Sequence, residues 1–286
     1  MAAEIRVAAQ AGACYGVNRA LELAERCAQE RAGAVHTLGP LIHNPIVVAD
    51  LAERGVAVAD SLDDVESGTV VIRSHGVVPA VIDEAEARGL SVVDATCPYV
   101  KKVHVAAAKL VREGYEIVIV GESGHPEVEG IVGHAGGRAH VVGSADDVDG
   151  LELGKRVGVV VQTTQTAQNL SSVTAALAPR VGELRVINTI CAATSERQQA
   201  AGDLAREADC MVVVGGKNSG NTRRLAEICH AACPRTHHIE DASELDAAWF
   251  DGAELIGVTA GASTPQAHIE RVVDAITALT DHRERA

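Results

Sequence analysis

Three cysteines of this chain stand at the same kind of position, where a β-branched run ends and a helical pattern begins. They are Cys14 in "IRVAAQAGACYGVNRALELA", Cys97 in "LSVVDATCPYVKKVHVAAAKL" and Cys191 in "LRVINTICAATSERQQA". The partial positive charge at a helix N-terminus favours a thiolate, which is the form of cysteine that binds metals. The three thiols are therefore candidate ligands of a metal ion or an iron–sulfur cluster.

The other four cysteines lie inside predicted strands or helices, where a cysteine usually serves as a small buried hydrophobe. They are Cys27, Cys210, Cys229 and Cys233. None of the seven cysteines belongs to a CxxC pair, which argues against a zinc ribbon or a ferredoxin-type cluster loop. Their odd number, in a long chain whose N-terminus resembles a strand and not a secretion signal, argues against a disulfide framework.

The elements around the three cysteines repeat in the same order along the chain. After each cysteine come a helix, a strand with a polar loop, a second helix and strand, an acidic segment, a third strand with a polar loop, and a closing helix. Such alternation predicts parallel sheets with right-handed crossovers. The third repeat lacks its last strand, and the N-terminal run "IRVAA" is the matching segment.

The pattern therefore predicts an α/β fold of three similar units, each with a four-stranded parallel sheet. The units span residues 14–96, 97–190 and 191–286, and the N-terminal strand in residues 1–13 completes the third. Pseudo-threefold symmetry would let the three units direct their thiols at one centre. The alternative is one continuous doubly wound sheet.

Polar side chains follow the predicted strand ends, which is where open α/β sheets bind their ligands. The first loops carry His43, His125 with Glu127, and Ser219 with Asn221, and the second loops carry His75, Thr163 and Ser263. Imidazole, hydroxyl and amide donors suit an anionic, oxygen-rich group. The cysteine spacing alone leaves open whether the metal is zinc or an iron–sulfur cluster with one open iron.

The composition limits the partners and the location of the protein. Hydrophobic residues make up 47% of the 286 residues but aromatic residues only 2%, a mixture that suits buried parallel strands covered by helices. The formal charge of -14, from 25 basic and 39 acidic residues, argues against nucleic acid or an anionic membrane as the main partner. No apolar run approaches the ~20 residues needed to span a bilayer, so we expect a cytoplasmic protein.

At these residues the sequence resembles the 4-hydroxy-3-methylbut-2-enyl diphosphate reductase family (IspH/LytB), which catalyses the last step of the non-mevalonate isoprenoid pathway. The resemblance runs essentially from end to end. Many separated motifs in one order make it specific, namely "CYGVNRAL", "HTLGPLIHNP", "RSHGV", "DATCPYVKKVH", "GHPEVEG", "QTTQT", "NTICAATSERQ", "GGKNSGNTRRL" and "VTAGASTP".

The resemblance implies a trefoil-like fold around a central [4Fe-4S] cluster that Cys14, Cys97 and Cys191 hold with one open iron. It implies Glu127 as the proton donor, with Thr163 near the substrate hydroxyl. The residues that match the family's diphosphate ligands are His43, His75, His125, Ser219, Asn221 and Ser263. Isopentenyl and dimethylallyl diphosphate would be the products. The sequence shows no flavin or nicotinamide fingerprint, so the electrons must come from an outside carrier, and the resemblance suggests ferredoxin or flavodoxin.

Two departures from the family pattern leave room for an altered substrate preference. Ala13 stands where an aromatic residue often precedes the first cysteine, and Gly220 stands where a second serine is common. Two other functional classes also remain open at this point. A non-redox lyase such as a hydratase could use the same cluster as a Lewis acid, and a non-enzymatic iron–sulfur sensor or phosphometabolite-binding module could carry the same residues.

Overall fold

The computed structural model describes residues 3–30 and 33–284. The chain forms two compact units. The smaller unit consists of the described parts of residues 1–15, 43–45 and 192–286, and the larger unit of the described parts of residues 16–42 and 46–191. The boundaries that the sequence suggests for three repeats stay a prediction.

The larger unit contains two four-stranded parallel sheets. The first sheet has the strands β2 (Val35–Leu38), β3 (Val56–Ala59), β4 (Thr69–Ile72) and β5 (Ser91–Asp94), which are joined to the helices α1 (Tyr15–Glu30), α2 (Pro45–Glu53) and α3 (Pro79–Ala87). The second sheet has β6 (Glu116–Val120), β7 (Ala139–Val142), β8 (Arg156–Val161) and β9 (Glu183–Val186), with α4 (Pro98–Arg112), α5 (Pro126–His134) and α6 (Ala167–Leu177).

The smaller unit contains the third parallel sheet. Its strands are β10 (Cys210–Val214), β11 (Thr236–Ile239), β12 (Leu255–Ala260) and the N-terminal β1 (Glu4–Val7), and its helices are α7 (Ala192–Glu207), α8 (Gly220–Ala232) and α9 (Gln266–Glu284). β1 pairs in parallel with β12, in a register that places Glu4 beside Leu255. The predicted role of the N-terminal strand is therefore confirmed.

The three sheets have the same strand order. The orders are β3-β2-β4-β5, β7-β6-β8-β9 and β11-β10-β12-β1. In each sheet the first strand after the cysteine helix lies between the second and the third, and the strand that precedes the next cysteine forms an edge. The predicted fold class of three parallel four-stranded α/β units is confirmed, and one continuous sheet is excluded for the described residues.

The central strands explain why the composition favours branched aliphatic residues. Every residue of β4 and of β10 is buried, as expected for strands covered on both faces. The acidic segments form short 3₁₀ turns at Leu62–Asp64, Asp146–Val148 and Ala242–Glu244. None of the helices in the described ranges has both the length and the apolar character that crossing a membrane requires.

Candidate active site

The three junction cysteines occupy equivalent positions in the fold. Cys14, Cys97 and Cys191 are each half-buried, and each directly precedes the first residue of a helix. Their backbone N–H groups donate to carbonyl oxygens that lie two residues beyond the end of a strand. The acceptors are Ala262 at 3.1 Å for Cys14, Ser74 at 2.9 Å for Cys97 and Thr163 at 3.0 Å for Cys191. A strand end thus fixes the backbone of each cysteine.

The other four cysteines have a different environment. Cys27, Cys210, Cys229 and Cys233 are at most 5% exposed, which confirms that they are small core residues. Burial raises the pKa of the Cys210 thiol to about 11 and that of the Cys229 thiol to about 12. Thiols that resist ionisation in this way make poor metal ligands.

A buried arginine holds the loop before Cys14. Arg197 on α7 is 4% exposed, and its guanidinium donates to the carbonyl oxygens of Gly12 at 2.8 Å and Ala193 at 3.1 Å. Gly12 has a φ of +97°, and a Cβ there would lie 2.9 Å from the Ile269 side chain. The loop therefore has little freedom at this point, although the sequence motifs alone do not reveal the arginine's partners.

The three junction cysteines have the chemistry that an iron–sulfur cluster requires of its ligands. Three accessible thiols at helix N-termini suit an iron–sulfur cluster with three cysteine ligands, since thiolates are the usual ligands of such clusters. Within residues 3–30 and 33–284, no group of three or more His, Cys, Asp or Glu side chains forms a ready metal site. The convergence of the three thiols on one cluster stays a prediction.

In the larger unit, Glu127 lies in the first turn of α5 and is only 2% exposed. One of its carboxylate oxygens accepts from the Thr163 backbone N–H at 2.6 Å, and the other contacts the Thr163 hydroxyl at 2.9 Å. Burial raises the pKa of the Glu127 carboxyl to about 7, although both bonds to Thr163 oppose the shift. Glu127 is therefore a carboxylic acid that can hold a proton near neutral pH.

The contacts of this carboxyl group determine where its proton resides. The Thr163 backbone N–H can only donate, so the oxygen it contacts must accept. The proton of the acid form therefore lies on the other oxygen and points at the Thr163 hydroxyl, which can accept it and pass its own proton onward. By contrast Glu129, on the same helix, is exposed to solvent.

His125 is the N-cap residue of α5, directly before Pro126. Its Nδ1 accepts a hydrogen bond from the Glu127 backbone N–H at 3.0 Å, so a neutral ring carries its proton on Nε2. The ring meets that of His75 edge to face, with 5.6 Å between their centroids. The helix N-terminus adds partial positive charge beside these two imidazoles, which favours an anion.

Gly76, directly after His75, lets the loop that carries His75 pack closely against helix α4. Gly76 has a φ of +76°, and a Cβ there would lie 2.8 Å from the ring of His104. His104 is 6% exposed on α4 and stacks on His134 with 4.0 Å between ring centroids. Burial lowers the pKa of His104 to about 4, so this imidazole stays neutral at physiological pH.

In the smaller unit, four predicted ligands lie after the ends of β10 and β12, including the first turn of α8, and in the segment 43–45. Ser219 is the N-cap residue of α8, and its hydroxyl accepts from the Thr222 N–H at 3.3 Å. The Ser263 hydroxyl donates to the His43 carbonyl oxygen at 3.0 Å, which brings those two residues together. Asn221 is 5% exposed, and its amide nitrogen and oxygen have no hydrogen-bond partner among the described residues.

The sequence suggests that Thr163 is equivalent to His75 and Ser263, and the structure corrects this. His75 and Ser263 lie three residues beyond the last residues of β4 and β12, Ile72 and Ala260, whereas Thr163 lies only two beyond Val161 of β8. Thr163 therefore matches Ser74 and Ala262, whose carbonyls also accept from a cysteine N–H. The residue at the position of His75 and Ser263 is Thr164. Counting from the strand ends would have identified it, but strand ends are uncertain from sequence.

Comparison with known proteins shows similarity to one protein family. A family model described as "LytB protein" matches residues 5–277. A 4-hydroxy-3-methylbut-2-enyl diphosphate reductase of Geobacter sulfurreducens is 52% identical over 273 residues, covering 96% of each chain. A protein of the same name from Pelobacter propionicus is 51% identical over 271 residues, covering 94% of this chain and 96% of the relative.

Two solved structures are also similar. One is described as (E)-4-hydroxy-3-methyl-but-2-enyl diphosphate reductase, the terminal enzyme of the non-mevalonate pathway, and is 46% identical with a TM-score of 0.71. The match covers 97% of this chain and 100% of that chain. The other, the E-1-hydroxy-2-methyl-but-2-enyl-4-diphosphate reductase of Plasmodium falciparum, is 28% identical with a TM-score of 0.92, covering 97% and 89%.

Proposed function

Because the chain belongs to the LytB protein family, we propose that it removes the allylic hydroxyl group of 4-hydroxy-3-methylbut-2-enyl diphosphate by two-electron reduction. The predicted reductase class is confirmed by relatives of that name that match nearly the whole chain. In the reaction a C–O bond breaks, a C–H bond forms, two electrons and two protons enter, and water leaves. Isopentenyl and dimethylallyl diphosphate are the products.

The observation that carries this function is the buried pair of Glu127 and Thr163. Hydroxide is a poor leaving group, so the reaction needs an acid beside the substrate hydroxyl. Glu127 holds a proton near neutral pH and faces the Thr163 hydroxyl at 2.9 Å. Thr163 then passes a proton to the leaving oxygen and receives one from Glu127, so that water departs.

The diphosphate group would bind to polar residues that follow the strand ends. The proposed donors are His43, His75, His125, Ser219, Asn221 and Ser263, together with Thr164 by its position after β8. The neutral ring of His125 donates through Nε2, and the backbone around its helix N-terminus adds partial positive charge. These groups fix the anionic end of the substrate and so orient its alkenyl chain.

The residues fit a [4Fe-4S] cluster held by Cys14, Cys97 and Cys191. When bound, the cluster supplies single electrons and an open iron that acts as a Lewis acid on the substrate oxygen. Ferredoxin or flavodoxin remains the proposed external electron donor, and a cytoplasmic location remains a prediction. The exclusion of nucleic acid and membranes as partners likewise rests on charge and composition.

Anaerobic purification followed by a turnover assay tests the function. We expect about four iron and four sulfide ions per chain. We also expect dithionite with a viologen mediator to convert the allylic alcohol to dehydroxylated diphosphates. A hydratase would consume no reductant, and a sensor or binding module would show no turnover. A colourless, iron-free protein that stays folded and active would overturn the proposal.

Asn221→Ala tests the diphosphate site. The buried amide has no partner within the described protein, so its removal should leave Tm unchanged or slightly higher. We expect weaker substrate binding by about 5- to 150-fold, the equivalent of roughly 1–3 kcal/mol for a charge-assisted hydrogen bond. The dissociation constant of the substrate and Tm are the measurements.

Asn44→Ala provides the contrast. Asn44 is also buried, but its amide donates to the Ser263 carbonyl oxygen at 2.8 Å. Its truncation should lower Tm, because the carbonyl loses a buried donor. If Asn221→Ala lowers Tm as much as Asn44→Ala and leaves substrate affinity unchanged, Asn221 is structural and does not contact the diphosphate.

A further inference from the structure

Helix α4 differs in charge from the rest of the protein. Its sequence, PYVKKVHVAAAKLVR, contains four cationic residues and no carboxylate, although the whole chain has a formal charge of -14. The cations are Lys101, Lys102, Lys109 and Arg112, all exposed to solvent. The helix starts directly after Cys97, a proposed cluster ligand. The outer face of α4 is therefore a local cationic surface next to a thiol, on a protein of strongly negative net charge.

Two apolar side chains accompany these cations. Val105 is 65% exposed and Tyr99 is 38% exposed, whereas Val103, Ala107 and Leu110 on the inner face are completely buried. The Lys102 ammonium lies over the Tyr99 ring at 4.9 Å from its centroid. Tyrosine is enriched in protein–protein interfaces, and an exposed valine between lysines offers apolar area to a partner.

Only some of these cations are neutralised within the protein. Lys101 pairs with Asp94 at 2.5 Å, and Lys109 lies 3.9 Å from Glu113. Lys102 has no ion pair among the described residues, and its position beside Tyr99 and Val105 puts its charge at the centre of this surface. We use the term α4 face for Tyr99, Lys102, Val105 and Lys109.

We propose that the α4 face is the docking surface for the electron carrier, an acidic one-electron redox protein. This proposal rests on the proposed function, because it requires a cluster on Cys97. The net charge repels an acidic carrier at long range, so association needs a local cationic surface. Redox encounters use small, weak interfaces, and one helix face with a polar rim matches that size class.

The electron balance defines what the surface must do. Each reduced carrier loses one electron and the cluster gains one, and two such transfers supply one substrate reduction. The carrier must therefore bind, transfer and leave twice in each turnover. Fast association through exposed charges, without tight binding, suits this requirement.

The test compares Lys102→Glu with Lys155→Glu in the anaerobic holoenzyme. Lys155 is also exposed but lies directly before β8, outside the α4 face. The probe is a reduced acidic plant-type ferredoxin, and the measured quantity is its second-order rate constant for reducing the oxidised cluster. We expect Lys102→Glu to lower this constant by about tenfold at low ionic strength, and the loss to shrink below about twofold in ~0.5 M salt. Lys155→Glu should change it by less than about twofold.

A second variant separates apolar contact from charge. Val105→Ser should lower the same rate constant by about threefold at every salt concentration, because it removes apolar contact without changing charge. Turnover with dithionite and a viologen should be unchanged in all three variants. Equal losses in Lys102→Glu and Lys155→Glu, or no loss in Lys102→Glu, would overturn the docking surface. Failure of the wild type to turn over with dithionite would instead overturn the proposed function.

Discussion

Glu127→Gln is expected to leave the cluster in place and to lower kcat by about 10²–10⁴-fold, the usual contribution of a positioned acid. The amide oxygen can still accept from the Thr163 N–H, as the carboxylate does at 2.6 Å. The amide group has no acidic proton for the Thr163 hydroxyl, so the leaving oxygen departs unprotonated. The carboxyl group of Glu127 contacts Thr163, and only its backbone N–H, which the substitution keeps, contacts the proposed diphosphate donor His125, so substrate affinity should change little. Single-turnover rates and iron content measure the two effects.

Glu129→Gln is the matched control. Glu129 lies two residues further along α5 and is exposed, so it can support the helix N-terminus but cannot supply a buried proton. A carboxylate in the first turn contributes roughly 0.3–1 kcal/mol to helix stability, and its loss should change kcat by less than about threefold. If Glu127→Gln with an intact cluster turns over at a near wild-type rate, the proton comes from another group.

The raised pKa of Glu127 also predicts two pH effects. The acid form is the proton donor, so kcat should fall as pH rises through about 7. The stability of the folded protein depends on the same titration of Glu127. The folded-state pKa of about 7 exceeds the ordinary value of 4.5, so the folded state binds the proton more tightly between these values. The associated stability is complete below pH 4.5 and is lost as pH rises through 7.

Glu127→Gln removes this titration. Relative to the variant, the wild type should lose up to about 3 kcal/mol of stability between pH 4.5 and pH 8, a value that follows from the shift of pKa. The difference in Tm between the two proteins should therefore widen with pH when no substrate is bound. A constant difference would show that Glu127 is ionised at all these pH values and is not the acid.

The second large effect is expected at the cysteines. Cys14→Ser, Cys97→Ser and Cys191→Ser should each reduce iron well below about four ions per chain and abolish turnover. A serine hydroxyl does not ionise near neutral pH and is a poor ligand for an iron–sulfur cluster. All three thiols are half-buried and each precedes a helix, so the replacement should not disrupt a packed core.

Cys27→Ser is the control for this series. Cys27 lies in α1, the helix that begins after Cys14, and is 5% exposed in the core. The new hydroxyl can donate to a carbonyl one turn earlier, so a modest fall in Tm is expected without loss of iron. If all four variants retain iron and activity equally, the three thiols do not hold a cluster.

The sequence by itself determined the order of strands and helices along the chain and their division into three parallel sheets. Its β-branched runs alternate with helical patterns, and right-handed crossovers permit few ways to connect parallel strands. The third repeat lacks its last strand, so a strand from elsewhere in the chain had to complete its sheet. The N-terminal strand β1 does so by pairing with β12. The motifs around the junction cysteines likewise identified the family, because short polar segments at strand ends keep their spacing when the fold is shared.

The tertiary structure alone decided which of the polar residues hold a proton or lack a partner. The resemblance singled out Glu127 in "GHPEVEG", but only the structure shows that the helix turns the carboxyl of Glu127 into the core and that of Glu129 to solvent. A raised pKa depends on lost hydration and on the contacts of a distant loop, here Thr163, and neither is encoded in local sequence. The same reason explains why Thr163, and not Thr164, faces Glu127. Both threonines follow the end of β8, and the position of that strand end, which the sequence leaves uncertain, decides which of them contacts Glu127.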